Sequence, residues 1–115
     1  MNWRVEVTSQ ARADIKAVLR YTLDRFGPNQ VRYYRVAIDD SLKHLETDPV
    51  SVPAKPLTPP LPSIRQLPVR LRGRSGRHAL IYRLDEVARV VIVLRLLHRA
   101  MDLGRHVEGE AGEDD

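Results

Sequence analysis

The stretch that most constrains the chain is Val90–Leu97, VVIVLRLL, eight residues with a single charge. A run so short, so apolar and so rich in β-branched residues reads as a strand covered on both faces. Ala79 to Leu84 is also β-prone, and the polar segment Leu84-Asp85-Glu86-Val87-Ala88-Arg89 separates the two, which predicts an antiparallel hairpin. After Leu97 the chain switches to polar and cationic residues, His98-Arg99-Ala100-Met101-Asp102. A buried strand thus ends in a charged edge.

The N-terminal half must supply the layer that covers this strand. Trp3, Val5 and Val7 alternate with Arg4, Glu6 and Thr8, the pattern of a half-buried strand. Thr8 or Ser9 stands where a helix N-cap belongs. From Ala11 the period becomes helical: Ala11, Ile15, Val18, Leu19, Thr22 and Phe26 form one stripe. Gly27 ends that helix and Pro28 opens the next, whose stripe is Val31, Tyr34, Ile38, Leu42 and Leu45. Asp39 and Lys43 are spaced to pair on its outer face. Arg12, Lys16 and Arg20 form a basic row on the first helix, self-repelling by about 0.2–0.5 kcal/mol per pair. That row is either a solvated face or a binding surface.

Six of the eight prolines lie between Pro49 and Pro62, so residues 48–63 read as an extended, polyproline-like crossover. Ile64–Leu71 reads as a strand that Pro68 makes an edge or bulged one, and Gly73-Arg74-Ser75-Gly76 reads as the turn into the hairpin. The expected fold is α+β: an N-terminal strand and an antiparallel helix hairpin packed on a mainly antiparallel sheet, a two-layer sandwich. Residues 1–107 form one domain, and 108–115 a disordered acidic tail.

Charge and composition then narrow the partners. All nineteen Lys and Arg precede Glu108 together with ten of the fifteen acids, leaving a formal +9 on residues 1–107. Such a body expects an anionic partner. With no cysteine, disulfides and thiolate chemistry are excluded, and a reducing compartment is suited. No signal-like segment or bilayer-length apolar run is present, so the expected location is cytoplasmic, without membrane contact. No metal-ligand spacing or cofactor motif occurs, and Gly73–Gly76 lacks the length and lysine of a phosphate-binding loop.

Polar side chains gather at or after the end of the central strand, His98, Arg99, Asp102, Arg105 and His106, with Arg74, Arg77, Tyr82 and Arg83 one strand away; Arg74, Arg77, His98, Arg99, Met101, Asp102, Arg105 and His106 are the candidate target-binding residues. RNA cleavage through the 2′-hydroxyl needs a base, an acid and a cation, roles that His98, Tyr82 and Arg77 or Arg83 can fill. The spacing does not select that reading, because a strand-end histidine often serves only as a hydrogen-bonding group. Arg105 and His106 can equally cap a last helical turn.

WRVEVTSQARADIKAVLRYTLDRFGPNQVRYY, continuing to SLKHLETDP, resembles the N-terminal half of the ParE/RelE toxin superfamily through Ala13, Asp14, Ile15, Tyr21, Thr22, Gly27 and Tyr34. The closing string is similar to the end of ParE proteins, on Val93, Arg95, Leu97, His98, Met101, Asp102, Arg105 and His106. The resemblance spans residues 3–107; the proline-rich stretch, Pro68 and the acidic tail are not part of its pattern. It implies a bacterial type II toxin that inhibits DNA gyrase by protein–protein contact, without catalytic residues or cofactor. Its implied partner is a ParD-like antitoxin, with nucleic acid met only through antitoxin or target, and Arg12, Lys16 and Arg20 are the candidate antitoxin contacts. RelE relatives instead cleave mRNA on the ribosome, the alternative that would use His98, Arg77, Arg83 and Tyr82. A non-toxic, antitoxin-binding module is the third reading.

Overall fold

The computed structural model describes residues 2–50, 55–57, 61–71 and 74–98. In chain order these form β1 (Arg4–Val7), α1 (Ser9–Phe26), α2 (Pro28–Thr47), β2 (Lys55–Leu57), β3 (Leu61–Leu71), β4 (Arg74–Asp85) and β5 (Val90–His98). The strands make one sheet in the order β1-β5-β4-β3-β2. β1 runs parallel to β5, and every other neighbouring pair is antiparallel. α1 lies against β5 and α2 against β3, which gives the expected α+β two-layer sandwich.

The helix hairpin follows from its caps. The Thr8 side chain accepts the Ala11 N–H, and the Gly27 N–H donates to Leu23 O. Gly27 has φ 89°, a backbone conformation costly for any residue with a Cβ, and Pro28 follows as the first residue of α2. The stripes face the sheet: Ala11, Tyr34, Ile38 and Leu45 pack with Leu80, Tyr82, Val91, Val93 and Leu96. Phe26 departs from its expected place. It is 64% exposed, its ring meeting Tyr21 edge-on with centroids 6.4 Å apart. Asp39 and Lys43 are not among the described ion pairs; the i,i+4 pair is Arg20–Asp24, at 3.3 Å on the surface.

The central strand is buried on both faces, but it does not alternate strictly. Leu94 is an extra residue opposite the Ile81–Tyr82 step of β4. This bulge advances the phase by one, so Val91, Val93 and Leu96 face the helices while Ile92, Leu94 and Leu97 join Ile64, Ala79 and Ile81 in a second cluster. That is why VVIVLRLL reads as a continuous apolar run rather than an alternating one.

β1 covers β5 only as far as the Val7–Val93 pair. Beyond it, helix α1 takes over the edge. The Thr8 hydroxyl donates to Leu94 O at 3.1 Å. Asp14 accepts the Leu96 N–H at 3.1 Å and two Arg95 guanidinium bonds at 2.6 and 3.0 Å. With side-chain exposures of only 17% and 14%, Arg95 and Asp14 form a largely desolvated, bidentate pair. At the far end of the same strand Arg89, at φ 58°, sets its guanidinium 4.2 Å from the centre of the Trp3 ring, and its carbonyl accepts the Arg4 N–H.

Two sequence expectations are corrected. The proline-rich crossover is not extended chain throughout, since Lys55–Leu57 hydrogen-bonds to β3 and β3 begins at Leu61. Prolines are tolerated there because β2 is the outermost strand. The turn expected at Gly73–Gly76 ends earlier: Leu71 already pairs with Arg74 and Arg70 with Ser75, so Ser75 and Gly76 belong to β4. Pro68 sits at a bulge, beyond the part of β3 that β2 pairs. The tail 108–115 lies outside the described residues.

Replacing Asp14 by Ala strands the Arg95 guanidinium and the Leu96 N–H together. Stability should fall by about 3 kcal/mol, the scale for breaking one side of a buried pair, and Asp14→Asn should lose less. Urea denaturation of the three proteins checks both.

Candidate functional site

The strand irregularity between β3 and β4 builds the site. Between the Pro68–Ala79 and Arg70–Ser75 pairs, Gly76, Arg77 and His78 stand opposite Val69 alone. A Cβ on Gly76 would lie 2.7 Å from Val69 O, so only glycine allows this approach of the two backbones. Beside it, His78 pairs in register with His98 at the end of β5.

These residues open into a cavity of ≈ 680 Å³ at the hairpin end of the two layers. Its walls are Ala17, Val18 and Thr22 of α1 and Leu71 of β3. Tyr34 and His78 form its polar floor with His98, Arg77 stands at the rim, and Tyr21 and Phe26 make an aromatic lip. The Tyr21 and Phe26 rings meet edge-on with centroids 6.4 Å apart. The His78 ring lies edge-to-face with both Tyr34 (5.5 Å) and His98 (5.2 Å).

Tyr34 and His78 share a short hydrogen bond between the phenol oxygen and Nδ1. Burial pushes the Tyr34 phenol up to about 12, against a smaller opposing effect of Arg77. His78 is pushed below the usual imidazole range, by burial first and then by His98 and Arg77. Both groups are therefore neutral near pH 7. The phenol is the stronger acid and the imidazole nitrogen the stronger base, so Tyr34 donates and the His78 proton sits on Nε2. A donor on Nδ1 disfavours the imidazolium, the reverse of the carboxylate that raises a catalytic histidine's basicity. The pair holds a neutral hydrogen-bonding ring near pH 7, and His78 takes up a proton only below the usual imidazole range.

Of the residues expected at this edge, the structure brings His98 and Arg77 together here. Tyr82 does not join them. It is fully buried four residues further along β4, its hydroxyl donating to Pro49 O, and burial pushes its phenol up to about 12. Arg83 lies one residue beyond it, opposite Ile64 and Ile92. For Arg74 the backbone pairing with Leu71 is described; Arg99, Met101, Asp102, Arg105 and His106 lie outside the described residues. Tyr34 and His78 were not predicted as site residues. Their signal was slight: a tyrosine in a core stripe, and a histidine preceding a strand.

A second concave surface lies on the helix hairpin. A groove of ≈ 780 Å³ has an apolar floor of Ile15, Leu19, Leu23 and Val31 and is flanked by Lys16, Arg20, Arg32 and Arg35. Of the basic row expected to bind a partner, Lys16 and Arg20 line this groove. Arg12 does not, since its Nε donates to Val7 O at 3.2 Å. Among the described residues no cluster of three or more His, Cys, Asp or Glu could hold a metal ion, and no helix is long and apolar enough to cross a membrane.

Comparison with known proteins places these features. The family described as ParE toxin of type II toxin–antitoxin system, parDE, matches residues 5–103. Toxin ParE of Escherichia coli is 26% identical over 97 residues, covering 84% of this chain and 85% of that protein. The toxin–antitoxin complex RelBE2 of Mycobacterium tuberculosis contains a chain 25% identical, with a TM-score of 0.61 and coverage of 86% and 100%. A chain of the chromosomal ParDE toxin–antitoxin system of P. aeruginosa superposes with a TM-score of 0.66 at 19% identity, covering 84% and 95%; at that identity the likeness is one of fold.

Acidification should weaken the fold through the half-buried His78. Because the folded pKa of His78 is depressed, the folded state binds fewer protons than the unfolded one between the two pKa values. The stability it contributes is complete above the unfolded value near 6.5 and is lost as pH falls through the folded value. Melting temperature should rise from pH 5.5 to 7.5, with a smaller rise in His78→Asn.

Proposed function

The chain belongs to the ParE toxin family of type II toxin–antitoxin systems, and from that premise we propose that it inhibits DNA gyrase by protein–protein contact and is neutralised by a ParD-like antitoxin. The family match over residues 5–103 carries the reading. One observation in the sheet supports the non-catalytic half of it: the Tyr82 hydroxyl is committed to Pro49 O inside the core, so Tyr82 does not join His98 and Arg77 as an acid for RNA cleavage. Purified toxin should inhibit gyrase supercoiling or trap cleaved DNA. Folded, antitoxin-free protein with neither effect would reject the gyrase target.

His98 and Arg77 do meet at the cavity, which keeps RelE-like ribosome-dependent mRNA cleavage as the second reading. It predicts cut mRNA in a translation extract, lost in His98→Ala, with supercoiling unaffected.

For the antitoxin, the groove between α1 and α2 offers an apolar floor between four cations, complementary to an acidic amphipathic segment laid in it. Lys16→Glu, Arg20→Glu and Arg35→Glu together should weaken antitoxin binding about tenfold or more and flatten its salt dependence. All three side chains are exposed, so the fold should persist. Titration calorimetry at two salt concentrations measures both effects, and unchanged affinity would move the interface elsewhere.

A further inference from the structure

The cavity at the hairpin end of the sandwich is lined by both aromatic and cationic side chains. Two exposed aromatic rings stand on its lip: Tyr21 at 56%, with the Arg25 guanidinium 5.6 Å from its ring centre, and Phe26 at 64%. Across the opening stand Arg77, exposed at the rim, and the ring edges of His78 and His98. The volume of ≈ 680 Å³ falls within the range of small-molecule sites. An aromatic lip facing a cation and imidazole donors suits a ligand that is flat at one end and anionic at the other.

We propose that this cavity binds a nucleoside monophosphate, its base on the Tyr21–Phe26 lip and its phosphate at Arg77 and His98. Stacking on the lip gives affinity for any base, since every base has a π-face. The neutral His78 ring, held by Tyr34, supplies a fixed N–H donor to the polar edge of the ligand. Arg77, exposed and lining the cavity next to His78 in the irregular stretch of β4, is placed to take the phosphate. The proposal concerns the cavity alone and does not rest on gyrase being the target.

NMR titration of the full-length protein with AMP, GMP, CMP and UMP tests it. Saturable shifts at Arg77, His78 and His98 are expected, with adenosine and ribose 5-phosphate each binding about tenfold more weakly. Phe26→Ala and Arg77→Ala, both at exposed positions, should each weaken AMP binding about tenfold while circular dichroism is unchanged. A short oligonucleotide ending in a phosphate distinguishes the source of the ligand: tighter binding than AMP assigns the site to a strand end, weaker binding to the free nucleotide. Absence of saturation with all four nucleotides at millimolar concentration would overturn the proposal. So would ribose 5-phosphate binding as tightly as AMP, or affinity untouched by both substitutions. Gyrase inhibition and antitoxin affinity, measured on the same variants, would fail or persist separately.

Discussion

Asp14 accepts three hydrogen bonds, two from Arg95 and one from the Leu96 backbone, and the placement of helix on sheet turns on them. A central strand needs both edges paired, yet β1 ends at Val7 and leaves the rest of β5 uncovered on that side. The first turns of α1 fill the gap. Thr8 serves the helix and the strand at once, capping Ala11 and donating to Leu94 O. Asp14, two turns on, closes the edge with a charge. The helix therefore cannot slide along the sheet without breaking backbone pairing and an ion pair together.

Much of this was readable in residue order because local chemistry and global packing agree. Gly27-Pro28 can only end one helix and begin another, and VVIVLRLL can only be a covered strand. Asp14 and Arg95 were both visible as residues of a family pattern, but not as partners. They are 81 positions apart, and no periodicity links them. Phe26 shows the opposite failure. Its spacing belongs to the buried stripe, but a stripe is buried only as far as the opposing layer extends.

The cavity was less legible than the fold for a geometric reason. His78 and His98 face each other only through the register of β4 on β5, and that register contains a bulge. Tyr34 reaches them from α2, 44 positions before His78. The turn expected at Gly73–Gly76 would have set His78 just beyond a loop, whereas the observed pairing sets Gly76 against Val69 and holds His78 inside the sheet. Tyr82 has the chemistry of an acid in the sequence, but in the fold it is a core residue whose hydroxyl is satisfied by Pro49 O.

The parallel pairing of β1 with β5 also has a temporal consequence. The first described strand has its partner in the last described one, joined by Arg4–Val90 through Val7–Val93. During synthesis α1 and α2 emerge early, but the strand they must cover comes near the end. Contacts of such wide sequence separation delay the folding transition until the chain is almost complete. A truncated or stalled chain lacking β5 has neither its central strand nor a partner for Asp14. The sheet thus closes only once β5 has been made, which ties the docking of the helix hairpin to the late arrival of that one strand.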